Sequence, residues 1–249
     1  MATPKKRIDL LLVERGLVSS RELAQSIIMR GDVLISDRPV DKPGAQVPLD
    51  ADIRIRGEIA RFVGRGGEKI DPLFESFSIR LENRVAIDIG ASTGGFTDAM
   101  LQRGAAKVYA VDVGYNQLAE KLRRDSRVVS MEKTHAKELE PAQFVPPPDF
   151  CVMDVSFIGV RKILDAVIAV LAPPREMLVL VKPQFELGPE CVDKGGVVKD
   201  PALRLEAVRL VTEAFAVRGA TDVASLPAAL PGAKMGNQEY FVYGRFPSS

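Results

Sequence analysis

The chain has 249 residues, a net charge of +1, 46% hydrophobic and 27% charged residues, which is an ordinary globular composition with length enough for one large core and a small second one. No uniform basic field announces a nucleic-acid binder, although residues 1–70 carry 13 Lys/Arg against 10 Asp/Glu and the remainder 21 against 23. Cys151, Cys191 and a single histidine offer no zinc-ligand spacing; no signal-peptide core follows Lys5-Lys6-Arg7, and no apolar run is long enough to span a membrane, so a soluble cytoplasmic protein with reduced thiols is expected.

In chain order, RIDLLLVERGL sets Ile8, Leu11 and Leu12 ahead of Gly16 and predicts a short helix. SSRELAQSIIMRG predicts a second, with Ser19 or Ser20 as N-cap, Glu22 in the first turn and Gly31 as C-cap. DVLISDRPV predicts a strand, a turn around Asp37-Arg38 and a returning strand. Lys42-Pro43-Gly44 makes another turn, and ADIRIRG alternates Ile53 and Ile55 with Arg54 and Arg56. Residues 1–58 thus read as a small α+β domain. Residues 59–69 read as a linker, with Phe62 and Val63 as apolar anchors and Gly64, Gly66 and Gly67 permitting a sharp path.

Residues 70–249 then alternate strand and helix. The pattern predicts helix 71–77, strand 85–89, helix 97–103, strand 107–113, helix 115–124 and strand 127–131. It continues with strand 150–155, helix 159–171, strand 177–182 and helix 201–218. Strands 221–226 and 239–245, separated only by a loop rich in Pro and Gly, predict an antiparallel hairpin. The expected fold class is α/β, a doubly wound and mostly parallel sheet with an antiparallel C-terminal strand, preceded by the small domain.

The stretch VAIDIGASTGGFTDAML, residues 85–101, carries the chemistry. An apolar strand ends in Asp88 and Ile89, a loop holds Gly90, Ser92, Gly94 and Gly95, and a helix follows. The next strand delivers Asp112, about as far along as the acidic residue that holds a ribose hydroxyl pair. The spacing Gly-x-x-x-Gly-Gly departs from the dinucleotide fingerprint, so an adenosine without a pyrophosphate is expected, which points to S-adenosyl-L-methionine. Asp154 and Lys182 each end a strand, Glu239 opens the last one, and Lys69 precedes the helix predicted at 71. Ligands of open parallel sheets sit at the carboxyl ends of the strands, so Asp154 and Lys182 are expected beside the cofactor's reactive end. A charge directly after five apolar residues, as at Lys182, is a poor candidate for a plain solvated side chain.

Arg7-Ile8-Asp9, Leu11-Leu12, Ser20-Arg21, Ala24, Arg30-Gly31, Val33 and Lys42-Pro43-Gly44 resemble the RNA-binding domain first described in small-subunit ribosomal protein four, over nearly all of residues 6–56. The resemblance implies RNA contacts for Arg7, Arg21, Arg30 and Lys42, and Arg65 and Lys133 are further phosphate candidates. Any one of these side chains, taken alone, is equally a solvated surface charge. DIGASTGGFT, VDVGYNQL, DVSFI, VKPQFE, KGGVVKD and GNQEYF, in this order, resemble the TlyA family, called haemolysins by history and ribosomal RNA 2′-O-methyltransferases by activity. The second domain is similar to the wider FtsJ-type ribose methyltransferases.

That resemblance implies a Lys-Asp-Lys-Glu tetrad at Lys69, Asp154, Lys182 and Glu239, with Lys182 as general base or as the group that orients the hydroxyl. It implies Gly90, Ser92 and Gly94 along the methionine side of the cofactor, Asp112 on its ribose, and Asp88 toward the methionine amino group or a water. The implied substrate is cytidine in 23S rRNA, with 16S rRNA as a second target, and the implied partners are ribosomal RNA or ribosomal subunits, for a monomer or a homodimer. Two positions depart from the family pattern: His135 stands where Asn is common, with a surface or adenine-edge role expected, and Phe62 stands where Trp is common. The sequence stopping soon after the strand of Glu239 favours the large subunit. Two alternatives stay open at this point, a membrane-active haemolysin and an RNA-binding assembly factor without catalysis.

Overall fold

A computed structural model describes residues 4–18, 21–56, 61–229 and 237–248. The chain divides into two compact units, residues 1–61 and 62–249. The predicted N-cap at Ser19 or Ser20 lies outside the described residues.

In the first unit, strand β1 (Lys5–Arg7) leads directly into helix α1 (Ile8–Glu14), and helix α2 (Arg21–Met29) follows. Both helices end on a left-handed glycine. At the first, Gly16 N–H reaches Val13 and Leu17 N–H reaches Leu12; at the second, Gly31 N–H reaches Ile28 and Asp32 N–H reaches Ile27. Strands β2 (Val33–Ile35) and β3 (Arg38–Val40) form a hairpin, and β5 (Ile53–Ile55) pairs with the other edge of β2. The hairpin turn lies on Ser36 and Asp37, both at positive φ, one residue earlier than expected. Strand β4 (Gln46–Pro48) pairs with β1, a two-stranded ribbon that the sequence pattern did not reveal. Ile8, Leu12, Ile27, Ile28 and Val33 are fully buried together in this unit's core.

The second unit opens with helix α3 (Arg65–Ser76), which begins six residues before the expected 71 and takes in Lys69. Its glycines leave no room for a side chain, since a Cβ at Gly66 would come 3.0 Å from the Phe96 ring. A Cβ at Gly95 would sit 2.9 Å from the Gly67 nitrogen and 3.1 Å from the Gly66 Cα, and one at Gly67 would overlap the Phe62 ring. Helix α4 (Gly95–Gln102) therefore crosses α3 at close range. Phe62 is buried in the core of this unit.

The parallel strands are β6 (Val85–Ile89), β7 (Lys107–Val111), β8 (Val128–Met131), β9 (Phe150–Met153) and β10 (Arg175–Val181). With β11 (Thr221–Pro227) and β12 (Tyr240–Phe246) they form one seven-stranded sheet in the order β11-β12-β10-β9-β6-β7-β8. The expected hairpin is present, and β12 is inserted antiparallel between β11 and β10. Helices α5 (Glu120–Arg123), α6 (Leu164–Val170), α7 (Pro183–Glu186) and α8 (Pro201–Val217) complete the unit.

The helix expected over 115–124 is reduced to α5 alone. Asn116 takes a positive φ, and Gly114, Ala119 and Lys133 backbone groups tie the preceding residues to neighbouring loops. The helix expected over 159–171 is a 3-10 turn, Val160–Lys162, followed by α6. Period two sorts the side chains of the sheet. Ala86, Val152, Phe150, Leu178, Leu180, Phe241 and Tyr243 join the core that includes α3 and α4 residues, while Ile87, Cys151, Val179, Val181 and Val242 join the opposite one.

Candidate active site

The same alternation places the charges. Asp88 on β6, and Asp154, Lys182 and Glu239 just beyond β9, β10 and the start of β12, continue the parity of the α3/α4 face. Tyr240 lies opposite Val181, so Glu239 and Lys182 occupy the next rung, and Met153 lies opposite both Ile89 and Val179. Strand register alone thus gathers an acid, a base and two further carboxylates at one end of one face.

Two ion pairs form there. Lys69 Nζ is 2.6 Å from Glu239 Oε2, with both side chains buried. Lys182 Nζ is 2.6 Å from Asp154 Oδ1 and donates to Ser156 Oγ at 2.9 Å; Lys182 is 12% exposed and Asp154 29%. The Lys69–Glu239 pair is held at fixed geometry, because separating it leaves a lone buried charge. The lysine that sequence position placed ahead of a helix is therefore inside α3, turned by that helix toward Glu239.

A cleft of about 780 Å³ opens at the same end of the sheet, and its wall includes Gly90, Ser92, Asp112, His135, Asp154 and Phe157. Gly90 needs its positive φ and its missing side chain, since a Cβ there would lie 2.3 Å from the Asp154 carbonyl oxygen. Asp112 ends β7 and accepts from the Ser92 and Gly114 amides at 2.8 and 2.7 Å, which leaves lone pairs on both oxygens. Gly94 is placed differently from the expectation. It caps α4 at positive φ, and a Cβ there would strike Leu122 and Leu118, so it serves packing behind the loop.

Asp88 is wholly buried, and its Oδ2 accepts from the Thr97 backbone and hydroxyl at 3.0 and 2.7 Å, pinning the start of α4. Among the described residues its Oδ1 has no hydrogen-bond partner. Burial pushes this carboxyl up to about 7, the Thr97 hydrogen bonds oppose that, and the nearby Asp154 and Asp112 charges add to it. His135 accepts from the Lys137 amide through Nδ1 at 3.1 Å and caps a 3-10 turn that walls the cleft. That contact leaves Nε2 as the protonated nitrogen of the neutral ring.

Several residues that sequence reasoning passed over also belong here. Phe157, at positive φ and 92% exposed, packs its ring 5.7 Å from that of Phe185, just after Lys182. Asn237 is buried, accepts from Val198 N–H at 3.0 Å and donates to Gly196 O at 2.9 Å, so it fastens the loop of the KGGVVKD motif to the strand of Glu239. Phe157 and Asn237 stand in DVSFI and GNQEYF beside the titratable Asp154 and Glu239.

The candidate RNA ligands separate. Asp9, fully buried, accepts from Arg7 at 3.0 and 2.9 Å, from Arg21 at 2.9 Å and from Gln25 at 3.2 Å, so Arg7 and Arg21 share one anchor. Lys42 is exposed in the turn before Gly44, whose Cβ position is 3.8 Å from the Arg7 guanidinium. Arg30 follows the other end of α2 and pairs with Asp32 at 2.7 Å. In the second unit Arg65 is exposed at the first residue of α3, and Lys133 lies 4.5 Å over the Tyr115 ring.

Comparison with known proteins identifies both units. Residues 62–246 match the FtsJ-like methyltransferase family and residues 6–53 match the S4 domain. The chain belongs to the FtsJ-like methyltransferase family. This methyltransferase is 41% identical over 242 residues to the 16S/23S rRNA (cytidine-2′-O)-methyltransferase TlyA of Mycobacterium tuberculosis, covering 97% of this chain and 90% of that one. It is 39% identical over 238 residues to hemolysin A of Brachyspira hyodysenteriae, covering 95% and 98%. Among solved structures, a Streptococcus thermophilus protein provisionally called a hemolysin superposes with a TM-score of 0.75 at 39% identity, over 100% of this chain and 90% of that one.

S-adenosylmethionine is the cofactor of this methyltransferase. The residues present fit it. The cleft offers carboxylate Asp112 for hydroxyl donors, a backbone bared at Gly90, and behind the glycine loop an acceptor at Asp88 Oδ1 without a protein donor.

Proposed function

We propose that this enzyme methylates the 2′-oxygen of a cytidine in ribosomal RNA, with the first unit holding the RNA and the second carrying out the transfer. The observation that carries the reading is the two Lys–carboxylate contacts on the sheet face beside the cleft, Lys182 with Asp154, half-buried, and Lys69 with Glu239, buried. Nothing in the packing of an α/β sheet calls for two lysines and two acids at those strand ends. Its M. tuberculosis relative, matched over 97% of this chain and 90% of its own, bears the name of a cytidine-2′-O-methyltransferase.

When bound, S-adenosylmethionine supplies a methyl group already activated on a sulfonium. What the protein must add is placement of the hydroxyl in line and a path for its proton. Lys182, fixed between Asp154 and Ser156, is the group in position to receive that proton once its own has passed to solvent. Asp154 lies on the cleft wall and pairs with the amine at 2.6 Å. Glu239 holds Lys69 and thereby fixes a positive charge on the same face, where it favours the developing alkoxide. Phe157 offers an exposed aromatic face at the mouth, suited to stacking on an unpaired base.

Among the described residues no helix is long and apolar enough to cross a membrane, which leaves the hemolysin name without a spanning helix to support it. The deciding experiment is transfer of labelled methyl from S-adenosylmethionine to separated ribosomal subunits and to naked rRNA, with nuclease mapping. Label on a cytidine 2′-oxygen is the expected result and identifies the subunit. Absence of label on every substrate, with cofactor binding intact, would move the protein to the class of RNA-binding assembly factors.

A further inference from the structure

The catalytic pair rests on two separate loops, residues 154–162 after β9 and residues 182–187 after β10. A second ion pair joins these loops, and the reaction as described makes no use of it. Glu186 in α7 has a side chain only 2% exposed, yet both its carboxylate oxygens are engaged. Oε1 accepts from the Val160 N–H at 2.5 Å and Oε2 from Arg161 Nε at 3.1 Å, while Arg161 Nη2 donates to the Glu186 carbonyl at 2.8 Å. Gly159 has the space this requires, since a Cβ there would come 2.8 Å from the Phe185 carbonyl oxygen and 3.0 Å from Glu186 Oε2.

We infer that Glu186 is the positioning residue that sets the register of these two loops and so fixes Lys182 against Asp154 and Phe157 against Phe185. The inference rests on the proposed methyl transfer. With Glu186 buried and the Arg161 side chain 37% exposed, this pair is weak as a source of stability, because solvent screens the attraction, whereas its geometry is narrow. Its three contacts all cross from one loop to the other. On one side lie Asp154, Ser156 and Phe157, three to seven residues from Val160 and Arg161; on the other lie Lys182 and Phe185, within four residues of Glu186. The chain between is short enough that a slip in the outer pair is passed to the inner one, whose Nζ–Oδ1 distance is 2.6 Å. A shift of about 1 Å at a reacting group costs on the order of a hundredfold in rate.

The test uses the full-length protein with Glu186→Gln and Arg161→Gln, singly and combined. Methyl transfer to ribosomal subunits is followed together with cofactor affinity, thermal midpoint and acylation of Lys182 by an amine-labelling reagent read by mass spectrometry. In each single variant kcat is expected to fall at least about tenfold with KM for cofactor and RNA within twofold, and Lys182 to label several-fold faster. The double variant is expected to be no worse than the poorer single one, since both remove the same contact. A kcat equal to that of the unmodified protein, or a loss that follows only the thermal midpoint, would overturn the assignment. If the unmodified protein transfers no methyl group, the proposed function fails; labelling of Lys182 then still decides on the clamp, with unchanged rates overturning it.

Discussion

Lys182 and Asp88 carry opposite kinds of prediction. Replacing Lys182 with Ala should lower methyl transfer by at least about a hundredfold, the usual worth of a positioned proton acceptor, with RNA and cofactor affinities retained. Lys182→Arg separates two roles for the same ammonium: an arginine keeps the charge and cannot act as a base, so activity as low as that of the Ala variant is expected in a single-turnover assay. Partial activity in the Arg variant would assign Lys182 to charge stabilisation alone.

Asp88 predicts a pH effect on stability. Its carboxyl is raised from 3.8 to about 7 in the folded protein by burial, so the folded state binds the extra proton between those values. Stability from this group is therefore full below the unfolded value, falls as pH rises toward about 7, and is flat above, with a total on the order of a few kcal/mol. Urea unfolding between pH 4 and 8 should show this slope, and Asp88→Asn should remove most of it. Saturating cofactor should flatten it too, if a cationic amino group meets Oδ1; an unchanged slope would place that group elsewhere. Both residues were legible in the sequence because an apolar run that ends in a charge has one place to put it. Ser156, Glu186 and Asn237 were not, since each acts across a loop whose neighbour is set by strand order.

At the scale of elements, the strands of the second unit were legible nearly to the residue, because buried parallel strands are continuous apolar runs. Helix α3 was misjudged at its start for the opposite reason. Gly64, Gly66 and Gly67 have the composition of a linker, yet each position is closed to a side chain, by Thr93, Phe96 and Phe62 in turn, and Gly95 of α4 lies against the Gly66 and Gly67 backbone. Gly95→Ala should accordingly cost about 1–3 kcal/mol in chemical denaturation, the usual result of forcing a methyl into a filled contact. In the first unit, Arg7 and Arg21 converge on Asp9, whose carboxyl is held well below the usual carboxylate range mainly by the Arg7 hydrogen bonds. Removing Arg7 or Arg21 should weaken RNA binding and reduce the slope of log K against log salt by about 1 each, whereas Arg30→Ala, at the far end of α2, should change the slope less. Equal effects at all three positions would put Arg30 in the same footprint.

For the molecule as a whole, a net charge of +1 gives little long-range attraction to RNA, so affinity has to come from local contacts. Purified protein should then bind rRNA with a salt slope worth only a handful of phosphates, and should leave dye-loaded anionic vesicles intact; leakage at comparable concentration would revive the membrane-active reading. The α/β class and the final hairpin were readable from the alternation of elements. The place of β12 inside the sheet was not, because strand order is decided by which edges remain open after the earlier strands pair.

That placement also governs when the enzyme can exist. Glu239 stands immediately before β12, and β12 must lie beside β10 for that carboxylate to meet Lys69, 170 residues earlier in the sequence. Under the proposed mechanism, methyl transfer therefore waits on the pairing of β12 with β10, which brings the carboxylate of Glu239 to Lys69.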